Sequence, residues 1–201
     1  MLSELNKNQI IQNFQLQQTV DYHQETMKRV AHIPRRSLRK ASVLIGFVER
    51  GTGLNIIFTR RAQHLKHHPG QISFPGGKYE DSDKSLLRTA LRETYEEVGI
   101  QEREITIFGQ MPELITISHF KVTPFLAFVA PNYNTNIDLN EVDEVFEVPA
   151  SVVLDRHQLH SERFRVRDHS HRVFGLSYEN YFIWGMTAQI IHALQNHIIH
   201  S

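Results

Sequence analysis

Cysteine is absent from this chain of 201 residues, which excludes a disulfide framework, a thiolate nucleophile and any zinc site built on sulfur. An excess of one charge is lacking too. Twenty-two basic residues meet 22 acidic ones, so no global field gathers nucleic acid or an anionic membrane surface. Long apolar runs are missing: stretches such as Phe125 to Ala130 fall far short of the roughly 20 residues of a membrane-spanning helix. The opening Met1-Leu2-Ser3-Glu4 lacks the basic-then-apolar order of a secretion signal, and His200-Ser201 matches no common C-terminal address. These absences lead to the expectation of a cytoplasmic protein with no nucleic-acid and no membrane partner. The hydrophobic share, 40% of residues, suits one sizeable core and therefore one domain with trimmings.

Residues 1–37 read as an N-terminal helical extension to a domain spanning 38–201. Up to about residue 32 the chain is rich in Gln and Asn, yet Ile10, Ile11 and Phe14, then Met27 and Val30, recur at helical spacing. One or two amphipathic helices are expected there, as an appendage. The apolar runs Ala41 to Val48 and Leu54 to Thr59 flank the turn signal Gly51-Thr52-Gly53 and predict a hairpin. Further strands are expected at Ile105 to Met111, Val122 to Val129 and Val145 to Val148. A second hairpin follows from Phe164, Val166 and Val173 to Tyr178. Two helices, Ser85 to Val98 and Thr187 to His197, stand out against this β background. Strands and helices mix without strict alternation, which predicts an α/β (or α+β) sandwich around a mixed sheet.

The helix Ser85 to Val98 carries the chemistry. Ser82 or Asp83 can cap its start, and Gly99 can end it in a left-handed conformation. At about 100° per residue, Leu86, Leu87, Ala90, Leu91, Thr94 and Val98 share one face. Glu93 and Glu97 line one edge of it, with Glu96 beside them. Three carboxylates at i, i+3 and i+4 repel one another unless a cation sits among them. Mg2+ or Mn2+ would supply it, since hard divalent ions take carboxylate oxygens and keep waters and substrate phosphates as their other ligands. The competing reading is a solvated acidic face with Arg92 paired to Glu96.

The context of that helix is Gly76-Gly77-Lys78-Tyr79-Glu80-Asp81-Ser82-Asp83 before it and Arg92-Glu93-Thr94-Tyr95-Glu96-Glu97-Val98-Gly99-Ile100 within it. Together these resemble the Nudix box, with Thr94 where an aliphatic is usual. Asp83 stands where the early Glu belongs, one residue too far from Arg92. Upstream, Ile57-Phe58-Thr59-Arg60-Arg61-Ala62, Lys66, Gly70 and Phe74-Pro75-Gly76-Gly77 resemble the added signature of coenzyme A diphosphatases within that family. Trp184-Gly185-Met186-Thr187-Ala188 is similar to it as well. The resemblance spans roughly residues 38 to 195 and implies a Nudix-type α/β/α sandwich.

It further implies an enzyme that cleaves the diphosphate bond of coenzyme A or its derivatives to 4′-phosphopantetheine and adenosine 3′,5′-bisphosphate. Hydrolysis of another nucleoside diphosphate derivative, such as ADP-ribose or a dinucleotide, stays open, as does a non-catalytic nucleotide sensor. Carried over by resemblance, Glu93 and Glu97 hold metal, Glu96 assists, a Gly76 carbonyl completes the set beside Gly77, and Arg92 orients Glu93. Glu141 and then Glu144 are candidates for a further catalytic or metal-binding carboxylate. Arg60, Arg61 and Lys66 are the candidate phosphate-binding cations, with Arg61 favoured because it matches the family's fixed Arg. Arg35, Arg36 and Arg39 form a reserve. His64, His67 and His68 lack a carboxylate or Cys at ligand spacing and read as a polar loop. The expected partner is a small-molecule substrate, and a homodimer is left open.

Overall fold

The computed structural model describes residues 5–17, 20–166 and 169–199; Met1 to Glu4 and His200-Ser201, read above for targeting signals, lie outside them. In chain order come helices α1 (Lys7–Leu16) and α2 (Gln24–Val30), then strands β1 (Arg39–Arg50), β2 (Gly53–Arg61), β3 (Ile72–Ser73) and β4 (Gly76–Lys78). Helix α3 (Leu86–Val98) precedes β5 (Ile105–Gln110), β6 (Leu114–Ile115), β7 (Phe120–Val129) and β8 (Val142–Pro149). The short α4 (Ala150–Val153), the strands β9 (Leu159–Val166), β10 (His169–Tyr178) and β11 (Tyr181–Trp184), and helix α5 (Met186–Ile198) complete the chain. Both expected hairpins form, as β1–β2 and β9–β10.

β1 organises the main sheet. It runs parallel to β7 from the pair Arg39 and Phe120 to the pair Val48 and Val129. Its other edge is shared between two antiparallel partners, β4 at Ala41–Val43 and β2 at Phe47–Arg50. β2 therefore diverges from β4 and continues to Arg61 alongside β3 and β8. β5 pairs with β7, so the sheet is mixed. β9, β10 and β11 form a separate antiparallel sheet.

Residues 41–48 are all buried because both faces of β1 are covered. Side chains alternate along a strand: Val43, Ile45 and Phe47 enter a core shared with Ile190, Ile191 and Leu194 of α5. Leu44 packs instead with Ala90 of α3, and Val48 with Val98. A strand covered on two sides reads as a continuous apolar run, and the outcome is an α/β/α sandwich. Ser42, fully buried, donates its hydroxyl to the Leu86 carbonyl at 2.7 Å and so docks the start of α3 on the sheet.

The first helix is more deeply embedded than an appendage. Ile10 is fully buried in the main core. Phe14 lies over Gly109, where a Cβ would stand 2.3 Å from its ring. Asn13 donates to the Ile198 carbonyl at 3.1 Å, and the Phe14 carbonyl meets His197 Nε2 at 2.8 Å. The polar composition hid this, because only one stripe of α1 carries the contacts.

Candidate active site

Helix α3 starts one step later than the sequence suggests. Its N-cap is Ser85, whose hydroxyl accepts from the Arg88 N–H at 3.2 Å. Ser82 and Asp83 do not cap it. Asp83 cannot serve as the cap because its carboxylate is taken: it accepts from the Glu80 N–H (3.0 Å), the Thr89 hydroxyl (2.8 Å) and the Arg92 guanidinium. Gly99 ends the helix at φ 87°, in the left-handed region, and a Cβ there would stand 2.6 Å from Asn136 N. Thr94, in a position usually aliphatic, is fully buried and satisfied by donating to the Ala90 carbonyl at 2.7 Å.

Arg92 is the hub of this helix. Its Nε and Nη2 make a fork on Asp83 at 2.9 and 3.0 Å, and Nη2 also donates to the Lys78 carbonyl at 3.0 Å. Nη1 meets Glu96 at 2.7 Å, and Nη2 lies 3.0 Å from Glu93 Oε1. The Arg92 hydrogen bonds hold the Asp83 carboxyl well below the usual carboxylate range. The extra residue between Asp83 and Arg92 therefore does not keep the Asp83 carboxylate from reaching Arg92.

One oxygen each from Glu93, Glu97 and Glu141 lies within 4.8 Å of the others. Glu97 is buried on α3, and its Oε2 accepts from the Gly76 N–H at 3.1 Å. Glu141 arrives from the opposite side on the loop before β8, exposed to solvent. Its backbone is held by Asp138 and Ala62, both at 2.9 Å. The two glycines permit close approaches on either side of β4, Gly76 to β1 and Gly77 to Glu93. Gly76 adopts φ 150°, and a Cβ on it would stand 2.3 Å from the Ser42 carbonyl; a Cβ on Gly77 would stand 2.5 Å from the Glu93 carboxylate.

Burial first, then repulsion from Glu93 and Glu141, push the Glu97 carboxyl up to about 8. Burial likewise raises Glu93 to about 6, against the pull of Arg92. Three converging hard oxygen donors with a solvent-facing side suit a divalent cation that retains waters and phosphate oxygens. Such an ion would relieve the repulsion that these values record. The donor set therefore fits Mg2+ or Mn2+. Glu96 stands apart from the trio, half exposed and paired with Arg92.

The remaining candidates divide. Arg61 lies close enough to favour the charged form of Glu97, and among the described residues its side chain makes no ion pair. Arg60 is paired with Glu144 at 3.0 Å, and Glu144 also accepts from the Tyr181 hydroxyl at 2.7 Å. Glu144 is thereby outside the carboxylate trio. Lys66, His64, His67 and His68 are exposed on one loop. Arg35 and Arg36 are exposed as well, while Arg39 binds the Ser118 carbonyl and covers the Phe120 ring. Sequence reasoning missed Tyr181, whose partners come from β2 and β8, and underrated Asp83, whose motif position was displaced.

The profile of the NUDIX domain matches residues 38–170. "Uncharacterized Nudix hydrolase NudL" of Enterobacter sp. (strain 638) is 40% identical over 156 residues, covering 78% of this chain and 81% of that protein. Its namesake in Salmonella newport (strain SL254) is 37% identical over 192 residues, 96% of this chain and 94% of that one. Among solved structures, a Nudix hydrolase from M. smegmatis, RenU, matches with a TM-score of 0.48 at 20% identity, covering 55% of this chain and 70% of that one. Among the described residues no helix is long and apolar enough to cross a membrane.

Proposed function

Because this chain belongs to the Nudix hydrolase family, we propose that it is a Mg2+- or Mn2+-dependent diphosphatase acting on coenzyme A or its derivatives, with 4′-phosphopantetheine and adenosine 3′,5′-bisphosphate as products. The observation that carries the hydrolytic part is the convergence of Glu93, Glu97 and Glu141 beside Gly76 and Gly77. The coenzyme A part rests on the segment from Ile57 to Gly77, which resembles the added signature of that subfamily and delivers Arg60 and Arg61 at the end of β2.

A diphosphate bridge between two esterified phosphates carries charge that repels an incoming water. A bound divalent ion supplies neutralisation of the phosphate oxygens and acidifies a water. Glu97 and Glu93 would hold it from the helix, and Glu141 from the solvent side. Gly76 fixes Glu97 through its N–H. Arg92 does not meet substrate: anchored on Asp83, it keeps Glu93 in place through a charge-assisted contact. Arg61, beside the trio, stabilises negative charge on the substrate. Water attacks one phosphorus, and the bridging oxygen leaves on the other fragment with its electron pair, so each product keeps one of the two bridged phosphates and the adenosine product also keeps its 3′-phosphate.

The test is a panel of diphosphates incubated with the protein and Mg2+ or Mn2+, with products identified by mass. Adenosine 3′,5′-bisphosphate from coenzyme A is the expected product. Release of inorganic phosphate as the primary product would overturn the diphosphatase reading. Equal rates on coenzyme A and 3′-dephospho-coenzyme A would overturn the substrate assignment.

A further inference from the structure

The loop between β7 and β8 ties the two sides of the carboxylate trio together. Side-chain packing does not hold it: in residues 134–141 no residue is fully buried, and Leu139 is 70% exposed. Backbone hydrogen bonds fix it instead. The Asn136 N–H donates to the Val98 carbonyl at 2.8 Å and the Asp138 N–H to the Glu97 carbonyl at 3.3 Å. Both carbonyls lie in the last turn of α3, where a helix supplies no N–H of its own. At the far end of the loop the Glu141 carbonyl accepts from the Ala62 N–H at 2.9 Å, and the Asp143 carboxylate accepts from the Gln63 N–H at 3.1 Å. The loop thus spans from the end of the catalytic helix to the end of β2.

Asp138 joins the two attachments. Its N–H reaches the backbone of Glu97, and its carbonyl accepts from the N–H groups of Glu141 and Val142, both at 2.9 Å. One residue therefore stands a single backbone hydrogen bond from each of two members of the trio. Its side chain closes the turn between them: Oδ1 accepts from the Asn140 N–H at 2.9 Å and from Asn140 Nδ2 at 2.8 Å. An aspartate that takes the N–H two residues on makes an Asx turn, which gives an exposed segment the order that burial does not supply. Leu139 and Asn140, the residues inside the turn, are both exposed. With the turn preformed, a cation bound by Glu141 is spared the entropy of ordering it.

We propose that Asp138 is a positioning residue for the metal site: its side chain preforms the turn that presents Glu141 opposite Glu97, without itself touching the ion. This rests on the reading of Glu93, Glu97 and Glu141 as metal ligands. It adds to that reading the residue that sets where the loop ligand stands.

The experiment measures Mn2+ affinity at alkaline pH, by electron paramagnetic resonance, for wild type, Asp138→Ala, Asp138→Asn, Glu141→Ala and the double variant Asp138→Ala with Glu141→Ala. Loss of the preformed turn predicts that Asp138→Ala weakens Mn2+ about tenfold. Asparagine keeps the Oδ1 acceptor and drops the charge, so Asp138→Asn should stay within about threefold of wild type. Because the effect runs through Glu141, adding Asp138→Ala to the Glu141→Ala background should cost no more than about twofold. Equal losses in Asp138→Asn and Asp138→Ala would make Asp138 only a nearby charge and overturn the proposal. A full tenfold loss on top of Glu141→Ala, the mark of a general loosening of the fold, would overturn it too. So would wild-type affinity in Asp138→Ala when Glu141→Ala is weakened. Failure of the parent reading looks different: Glu141→Ala then binds Mn2+ as the wild type does, and the positioning role falls with the ligand.

Discussion

Replacing Glu97 by Gln should move stability and activity in opposite directions. The side chain is buried, at 4% exposure, and its carboxyl is pushed from an ordinary 4.5 up to about 8. At about 1.4 kcal/mol per pH unit, keeping the ionised form in the metal-free fold costs on the order of 5 kcal/mol, less whatever local relaxation recovers. The sign follows from linkage. Below 4.5 the folded and unfolded chains both hold the proton. Above it the unfolded chain ionises first, so the metal-free fold loses stability as pH rises, and the loss is complete only above about 8. Glutamine keeps an acceptor for the Gly76 N–H and carries no charge. Metal-free Glu97→Gln should therefore melt higher than metal-free wild type near pH 8.5, by several degrees and at most about 10–20 °C, at roughly 2–4 °C per kcal/mol.

Near pH 5 the difference should nearly vanish. Excess Mn2+ or Mg2+ should reverse the order at alkaline pH, because only the wild type gains from the ion. Turnover of the variant should fall roughly a hundredfold or more. Thermal melts in chelator and in metal, at the two pH values, carry the assay. Equal melting of the metal-free proteins at alkaline pH, or equal stabilisation of both by Mn2+, would refute the reasoning.

Two further outcomes are expected. Asp83→Asn removes the charge under the Arg92 fork, so kcat should fall about 10- to 100-fold with KM little changed. Its thermal destabilisation should be largest near neutrality and shrink in acid, because a carboxyl held below the usual range stabilises the fold above the unfolded value and loses that advantage as pH falls. Arg61→Ala should lose more kcat/KM on coenzyme A than on 3′-dephospho-coenzyme A. A charge-assisted contact of about 1.5–3 kcal/mol would narrow the preference by roughly tenfold to a hundredfold; equal losses would move Arg61 to the diphosphate.

What could be read from the chain follows the range of the interactions involved. The amphipathic face of α3, its Gly99 stop and the β1–β2 hairpin are local, and they stand where periodicity and turn residues put them. The continuous apolar run of β1 announced burial on both faces. Glu93 and Glu97 were legible because four residues of helix bring them to one edge. Glu141 could be picked out only through resemblance, since a loop more than 40 residues downstream delivers it. Asp83 was obscured by the spacing of its loop, which a pattern counts and a flexible turn absorbs. The depth of Ile10 depended on a gap at Gly109, and the contact of Tyr181 with Glu144 and Arg60 on three strands meeting. Neither leaves a signal in the surrounding residues.

The most direct test of the metal site is Mn2+ binding at alkaline pH, followed by electron paramagnetic resonance, in wild type and in the four single Glu→Gln variants at 93, 96, 97 and 141. The geometry predicts that Glu93→Gln, Glu97→Gln and Glu141→Gln each weaken Mn2+ by about tenfold or more, while Glu96→Gln, which disturbs only the outer side of Arg92, stays within about threefold of wild type. Wild-type affinity in Glu141→Gln together with lost affinity in Glu96→Gln would contradict it.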